Sequence, residues 1–205
     1  MNLLKSKLFY ILSFSLILFL FATSNFNPLN NNNLSASPEQ VILEAKTDYY
    51  ESLDDMENVA PIILMGTKVS EEEPFIAYGP RKLPSHGYTK SGIKIDKIFK
   101  NKSNLKIKKE DIITVVENEI TDPKTGTTYH IAGYTKMKQN QSYLLFVYYS
   151  EGDQWYVPMG VTFGKIPLDS EELLLVKEQA EKDQLTLPEK IIKQAQKKYN
   201  SYMKK

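Results

Sequence analysis

The sequence predicts a mainly β fold: a small antiparallel barrel with one helix before it and two helices after it. Short strand-like stretches recur from Ile62 to Ile166, with proline, glycine and aspartate turn chemistry between them. No helical period separates these stretches, which argues against parallel βαβ units. At both flanks the apolar spacing changes to three and four residues, the period of a helix with one buried face.

Val41, Ile42, Ala45, Tyr49, Leu53 and Met56 recur at that spacing and predict a leading helix within Ser37 to Met56, closed by Pro61. Ile62 to Val69 is a buried-type strand. Tyr88 to Ile98 alternates, with Ile93 and Ile95 on one face, and the out-of-phase Ile98 marks a bulge or the strand's end. Asp111 to Ile120 is β-branched and dense. Asp122-Pro123-Lys124-Thr125-Gly126 reverses the chain, so Thr127 to Thr135 pairs back as a hairpin. Ser142 to Tyr149 is the most continuous apolar stretch and is placed centrally. Gln154 to Met159 and Val161 to Ile166 complete the set, which suits a five-stranded Greek-key barrel of the OB type with added strands. Asp169-Ser170-Glu171-Glu172 is a capping box for the first C-terminal helix, and Thr186 to Glu189 repeats the device for the second.

The N-terminus predicts export. Lys5 and Lys7 precede an uncharged apolar run of 15 residues, Leu8 to Ala22, the pattern of a secretory signal and short for a membrane span. Small residues at Ala22 and Ser24 place cleavage after Ser24; Leu-Ser-Ala places a second option after Ala36. An uncleaved anchor is the alternative, with the chain on the extracellular face of the cell membrane. The expected organisation is a signal or anchor over 1–24, a linker over 25–40 rich in asparagine, a barrel domain with its leading helix over 41–168, and a helical extension over 169–205.

Composition narrows the function classes. Charged residues make up 25% of the chain and the formal net charge is +1, without the basic excess of a nucleic-acid binder. Cysteine is absent, which removes disulfides, thiolate metal sites and cysteine nucleophiles. Export without cysteine in a chain rich in Lys, Asn, Ile and Tyr is the composition of a low-GC Gram-positive bacterium. No phosphate loop, nucleophile elbow or paired-carboxylate motif occurs. No cofactor and no metal are expected, and the chain is expected as a monomer.

The strands Ile63-Leu64-Met65-Gly66-Thr67-Lys68-Val69, Ile93 to Lys100, Asp111-Ile112-Ile113-Thr114-Val115 and Gln141 to Val147 resemble a secreted OB-fold group, the tissue inhibitors of metalloproteinases and netrin-like modules. The resemblance implies an exported domain that binds through loops. The inhibitors' zinc-chelating N-terminal cysteine has no counterpart here, so that mechanism is not implied.

The candidate binding residues lie in the long segment Ser70 to Gly92. Pro74, Pro80 and Pro84 stiffen it, and it carries Phe75, Tyr78, Arg81, His86 and Tyr88. Aromatic and arginine side chains on a pre-stiffened segment bury ring area at low ordering cost. The expected partner is a protein or a cell-wall polymer; the alternative reading has these rings closing the barrel end. A second set, Tyr129, Tyr134, Tyr143, Tyr148, Tyr149, Trp155 and Tyr156, forms either a stacking face or core. Glu71-Glu72-Glu73 cannot converge on one cation from extended backbone. An envelope hydrolase or metal-dependent enzyme using His86 and His130 is the alternative from another class. A third is a membrane-anchored spacer. It would use Lys190, Lys193, Lys197, Lys198, Lys204 and Lys205 to contact a membrane surface or polyanion.

Overall fold

The computed structural model describes residues 38–80, 82–168 and 186–202. The described chain is mainly β. Its strands are β1 (Gln40–Leu43), β2 (Ile62–Glu71), β3 (Phe75–Tyr78), β4 (Pro84–Asn101), β5 (Ile112–Glu117), β6 (Glu119–Thr121), β7 (Thr128–Ile131), β8 (Ser142–Ser150), β9 (Trp155–Pro158) and β10 (Lys165–Pro167). Two α-helices accompany them, α1 (Leu53–Val59) and α2 (Thr186–Tyr199), the second running into a 3₁₀ turn at Asn200–Tyr202.

The main sheet has the order β10-β8-β2-β4-β5-β9, and β9 pairs again with β8. The pairings β8–β2, β2–β4, β4–β5, β5–β9 and β9–β8 therefore run in a closed circuit. All are antiparallel except β5–β9, a parallel contact between Val115 and Tyr156. A second sheet, β1-β7-β6, stands beside it.

β8 is continuous in apolar residues because both its faces are covered. Tyr143, Leu145 and Val147 join Ile62, Leu64, Ile93, Ile95, Ile113, Val115 and Tyr156 in one buried cluster. Leu144 and Phe146 point the other way, into a cluster with Leu53 and Met56 of α1 and Ile191, Ala195 and Tyr199 of α2. The residues of α2 fall at i, i+4 and i+8, one helical face. The phase problem at Ile98 is solved by bulges: the β2–β4 register shifts between Met65 and Gly66 and again between Ile63 and Leu64. The first shift skips Asp96 and lets Ile98 pack with Ile93 and Ile95. Phe99 is left on the opposite face, against Tyr199.

The structure corrects four expectations. Residues 40–43 are a strand, not the start of a helix. The Glu39 carbonyl accepts from the Thr128 amide at 2.8 Å and β1 runs parallel to β7, so the free edge of β7 satisfies the backbone. Tyr49 and Tyr50, adjacent in sequence, both pack on Phe163, and the helix starts only at Ser52, whose hydroxyl accepts from the Asp55 amide. The dense stretch Asp111 to Ile120 is two strands, because the chain leaves the main sheet after Glu117 and enters the second at Glu119. The stretch Val161 to Ile166 is mostly turn, and only Lys165–Pro167 pairs with β8. The segment Ser70 to Gly92 is a hairpin, β3 against the first part of β4. The predicted turn at Asp122 to Gly126 is present: Gly126 takes φ +74°, its amide bonds the Asp122 carbonyl at 2.8 Å, and β6 pairs with β7 across it. The capping box at Asp169 and the helix expected after it lie outside the described residues, as does the N-terminal apolar run. Among the described residues no helix is long and apolar enough to cross a membrane.

Candidate binding surface

The β3–β4 hairpin has two faces set by strand alternation. One docks on the second sheet. Gly87 permits this, because a Cβ there would lie 2.6 Å from Ile120 Cδ1. The Tyr78 hydroxyl, on the same side, donates to Asp122 at 2.9 Å, and the Lys124 ammonium lies 4.0 Å from its ring centroid. Tyr78 is thus an anchor of the hairpin.

The other face carries Phe75, His86 and Tyr88. Phe75 and Tyr88 stand opposite each other in the register and stack at 5.1 Å between centroids. His86 lies 5.9 Å from Phe75. Tyr88 continues the row to Trp155 at 5.0 Å, and the Lys90 ammonium sits 4.9 Å from the Trp155 ring. Phe75 is 47% exposed, and His86 is exposed as well. Lys90 also pairs with Glu72 at 3.8 Å. Trp155 is held in place by the turn before it. The Gln154 amide bonds the Ser150 carbonyl at 2.8 Å, Ser150 bonds Asp153 at 2.7 Å, and the Tyr149 hydroxyl bonds Gln154 at 2.9 Å.

Of the residues singled out from sequence, then, Phe75, His86 and Tyr88 come together, Tyr78 faces away, and Arg81 lies outside the described residues. Tyr129, Tyr134, Tyr143 and Tyr156 are core; Tyr148 is exposed. Trp155 joins the row because β9 pairs with β5, which itself pairs with β4, a contact between residues far apart in sequence. Lys190, Lys193, Lys197 and Lys198 are exposed on α2, and Lys204 and Lys205 lie outside the described residues.

Sequence reasoning missed a buried polar network at one end of the circuit. Lys68 is 1% exposed and Glu117 is 0% exposed. The Lys68 ammonium donates to Glu117 at 3.0 Å, to the Met137 carbonyl at 2.8 Å and to Glu71. Glu117 also accepts from the Tyr134 hydroxyl at 3.0 Å, the Met137 amide at 2.6 Å and the Ser91 hydroxyl. Burial, and then the Glu117 charge, push the Tyr134 phenol well above its ordinary value, so it stays a donor. Among the described residues no buried side-chain nitrogen or oxygen lacks a partner. The network fastens the segment around Tyr134 and Met137 to the sheet.

His130 belongs to a neighbouring set. Its Nδ1 lies 2.9 Å from the Tyr134 carbonyl and 3.2 Å from Glu119, and its Nε2 lies 2.6 Å from Gln40 Oε1. Both nitrogens face acceptors, which suits the imidazolium. The hydrogen bond to Glu119 raises the His130 pKa from the ordinary 6.5, against the effect of burial. Burial alone would raise Glu119, but His130 and the Lys136 amide carry it below 4.5. No three potential metal ligands converge among the described residues.

This coupling predicts a pH dependence. A histidine whose folded pKa is raised contributes stability fully below its unfolded value near 6.5, and loses it as pH rises through the higher folded value. Urea midpoints should therefore fall across that rise, and His130→Asn should flatten this part of the profile. An identical slope in the variant would contradict the assignment.

The sequence matches no protein-family model, and no curated protein matches it.

Proposed function

We propose that the chain is an exported, non-enzymatic binding domain built on a five-stranded barrel of the OB type. We further propose that it engages a protein or a cell-envelope polymer through the ring row. Support for the barrel comes from the strand circuit. In the order β2, β4, β5, β9, β8, the third and fourth neighbours run parallel and the rest antiparallel, in keeping with a Greek-key barrel of five strands.

One observation carries the functional reading. Phe75, Tyr88 and Trp155 form a continuous, partly exposed row. The row lies where the hairpin between the first two strands of the circuit meets the turn between the last two. OB-type barrels bind ligands through these loops and the adjoining strand face. Rings already packed against each other lose little freedom on binding, and Trp and Tyr are the side chains that dominate binding energy. The export half of the proposal rests on the lysine-flanked apolar run Leu8 to Ala22.

The test is a pair of substitutions. Phe75→Ala with Tyr88→Ala should leave the melting temperature within a few degrees, because the hairpin stays anchored by Tyr78 and the close approach at Gly87. The pair should weaken retention on a native envelope fraction at least tenfold, about 1.4 kcal/mol. Unchanged retention with an intact melt would remove the row from the proposal.

A further inference from the structure

A second surface, distinct from the ring row, gathers where three elements end. The last turn of α1, the end of β4 and the end of α2 are tied together by named contacts. Lys100 of β4 donates to the carbonyls of Glu57 and Asn58 in α1. The Tyr199 hydroxyl and the Lys198 ammonium of α2 both bond Glu57. Phe99 packs on Tyr199 at 4.7 Å and on Tyr202 at 5.1 Å, and the Lys97 ammonium lies 3.4 Å from the Tyr202 ring centroid.

Two properties of this surface stand out. Its carboxylate, Glu57, is consumed internally by Tyr199 and Lys198. Among the described residues Lys97 and Lys102 have no carboxylate within ion-pair distance, so the described part of the surface carries excess positive charge. Large side chains are also exposed on these elements: Val59 of α1 at 59% and Tyr202, beside Lys97, at 43%.

Lysines around exposed apolar and tyrosine side chains fit one environment, the boundary between anionic headgroups and acyl chains. There the ammonium groups meet phosphate, the aliphatic side chain enters the boundary, and tyrosine sits at headgroup depth. An anionic polymer in water would use the lysines alone and gain nothing from the exposed Val59 side chain and the exposed part of the Tyr202 ring.

We infer that this surface docks the domain on an anionic lipid bilayer. Each uncompensated lysine near such a surface adds a separate electrostatic contribution that falls off within a Debye length. Docking should therefore depend on headgroup charge and on salt.

The full chain is tested by co-sedimentation with vesicles of phosphatidylcholine alone and of phosphatidylcholine with about one-third phosphatidylglycerol. Insertion of the apolar run Leu8 to Ala22 behind Lys5 and Lys7 is common to wild type and variants, so the reading is the anionic-vesicle excess that the variants lose. That excess should be at least tenfold, should collapse in high salt, and should be lost in Lys97→Glu with Lys102→Glu. Tyr202→Ser with Val59→Ser should lower it at unchanged charge. Neither pair removes a side-chain hydrogen bond or ion pair, each removes the Lys97–Tyr202 ring contact, and a melt within a few degrees of wild type checks folding. Equal binding to both vesicles, or an excess that the charge-reversed pair retains, would overturn the inference. So would soluble polyphosphate binding that the Tyr202 and Val59 substitutions leave untouched, accompanied by no anionic-vesicle excess. None of these outcomes bears on the ring row, whose own test uses different residues.

Discussion

Glu117→Ala is expected to destabilise the domain by about 3–5 kcal/mol, the range for breaking a buried ion pair. Glu117 is the hub of its network. Its two oxygens accept from Lys68, Ser91, Tyr134 and the Met137 amide, and its removal takes the acceptor from Ser91, Tyr134 and the Met137 amide and the buried counter-charge from Lys68. Lys68→Met should cost less, because the Glu117 carboxylate retains three donors. The double variant should cost less than the sum of the singles, since the second change removes a partner already lost. Urea denaturation of the four proteins measures the cycle. A Glu117→Ala loss under about 1 kcal/mol would mean that the carboxylate is not buried as described.

Leu145→Ala should cost about 2–5 kcal/mol. β8 pairs with β2, β9 and β10, so it is central, and Leu145 is fully buried among Ile62, Leu64, Ile93 and Val115. The strands packed around it limit relaxation into the cavity. Tyr148→Ala on the same strand is the contrast: Tyr148 is exposed, and its removal should change stability by about 0.5 kcal/mol or less. Similar losses for both would place the strand at the periphery.

These two residues also mark what sequence carries and where it stops. The run from Tyr143 to Val147 is apolar at every position, so it must be covered on both faces, and it is. Ile98 out of phase pointed to a bulge or the strand's end, and the register, which skips Asp96, shows the bulge. The buried network was signalled as well: Lys68 falls in phase with Ile62 and Leu64, and Glu117 in phase with Ile113 and Val115. A charge at an inward position must be paired. Other features depend on distant partners. Val41 to Met56 has helical spacing, but the free edge of β7 captures residues 40–43 instead. Pro74, Pro80 and Pro84 mask the short strand Phe75–Tyr78, whose existence depends on pairing with β4. Phe75, His86 and Tyr88 were legible as candidates. Trp155 was not legible as their neighbour, because only the pairing of β9 with β5, and of β5 with β4, brings it beside Tyr88. Tyr78 was separated from them by alternation, which becomes visible only once the segment is known to be a strand.

The chain has a single tryptophan, and it stands in the ring row. Its fluorescence therefore reports on the proposed site without a label. On titration with the envelope fraction, Trp155 emission should shift to the blue and saturate together with retention, and Tyr88→Ala should abolish both changes. Saturable retention that leaves Trp155 emission unmoved would contradict the ring row as the binding surface.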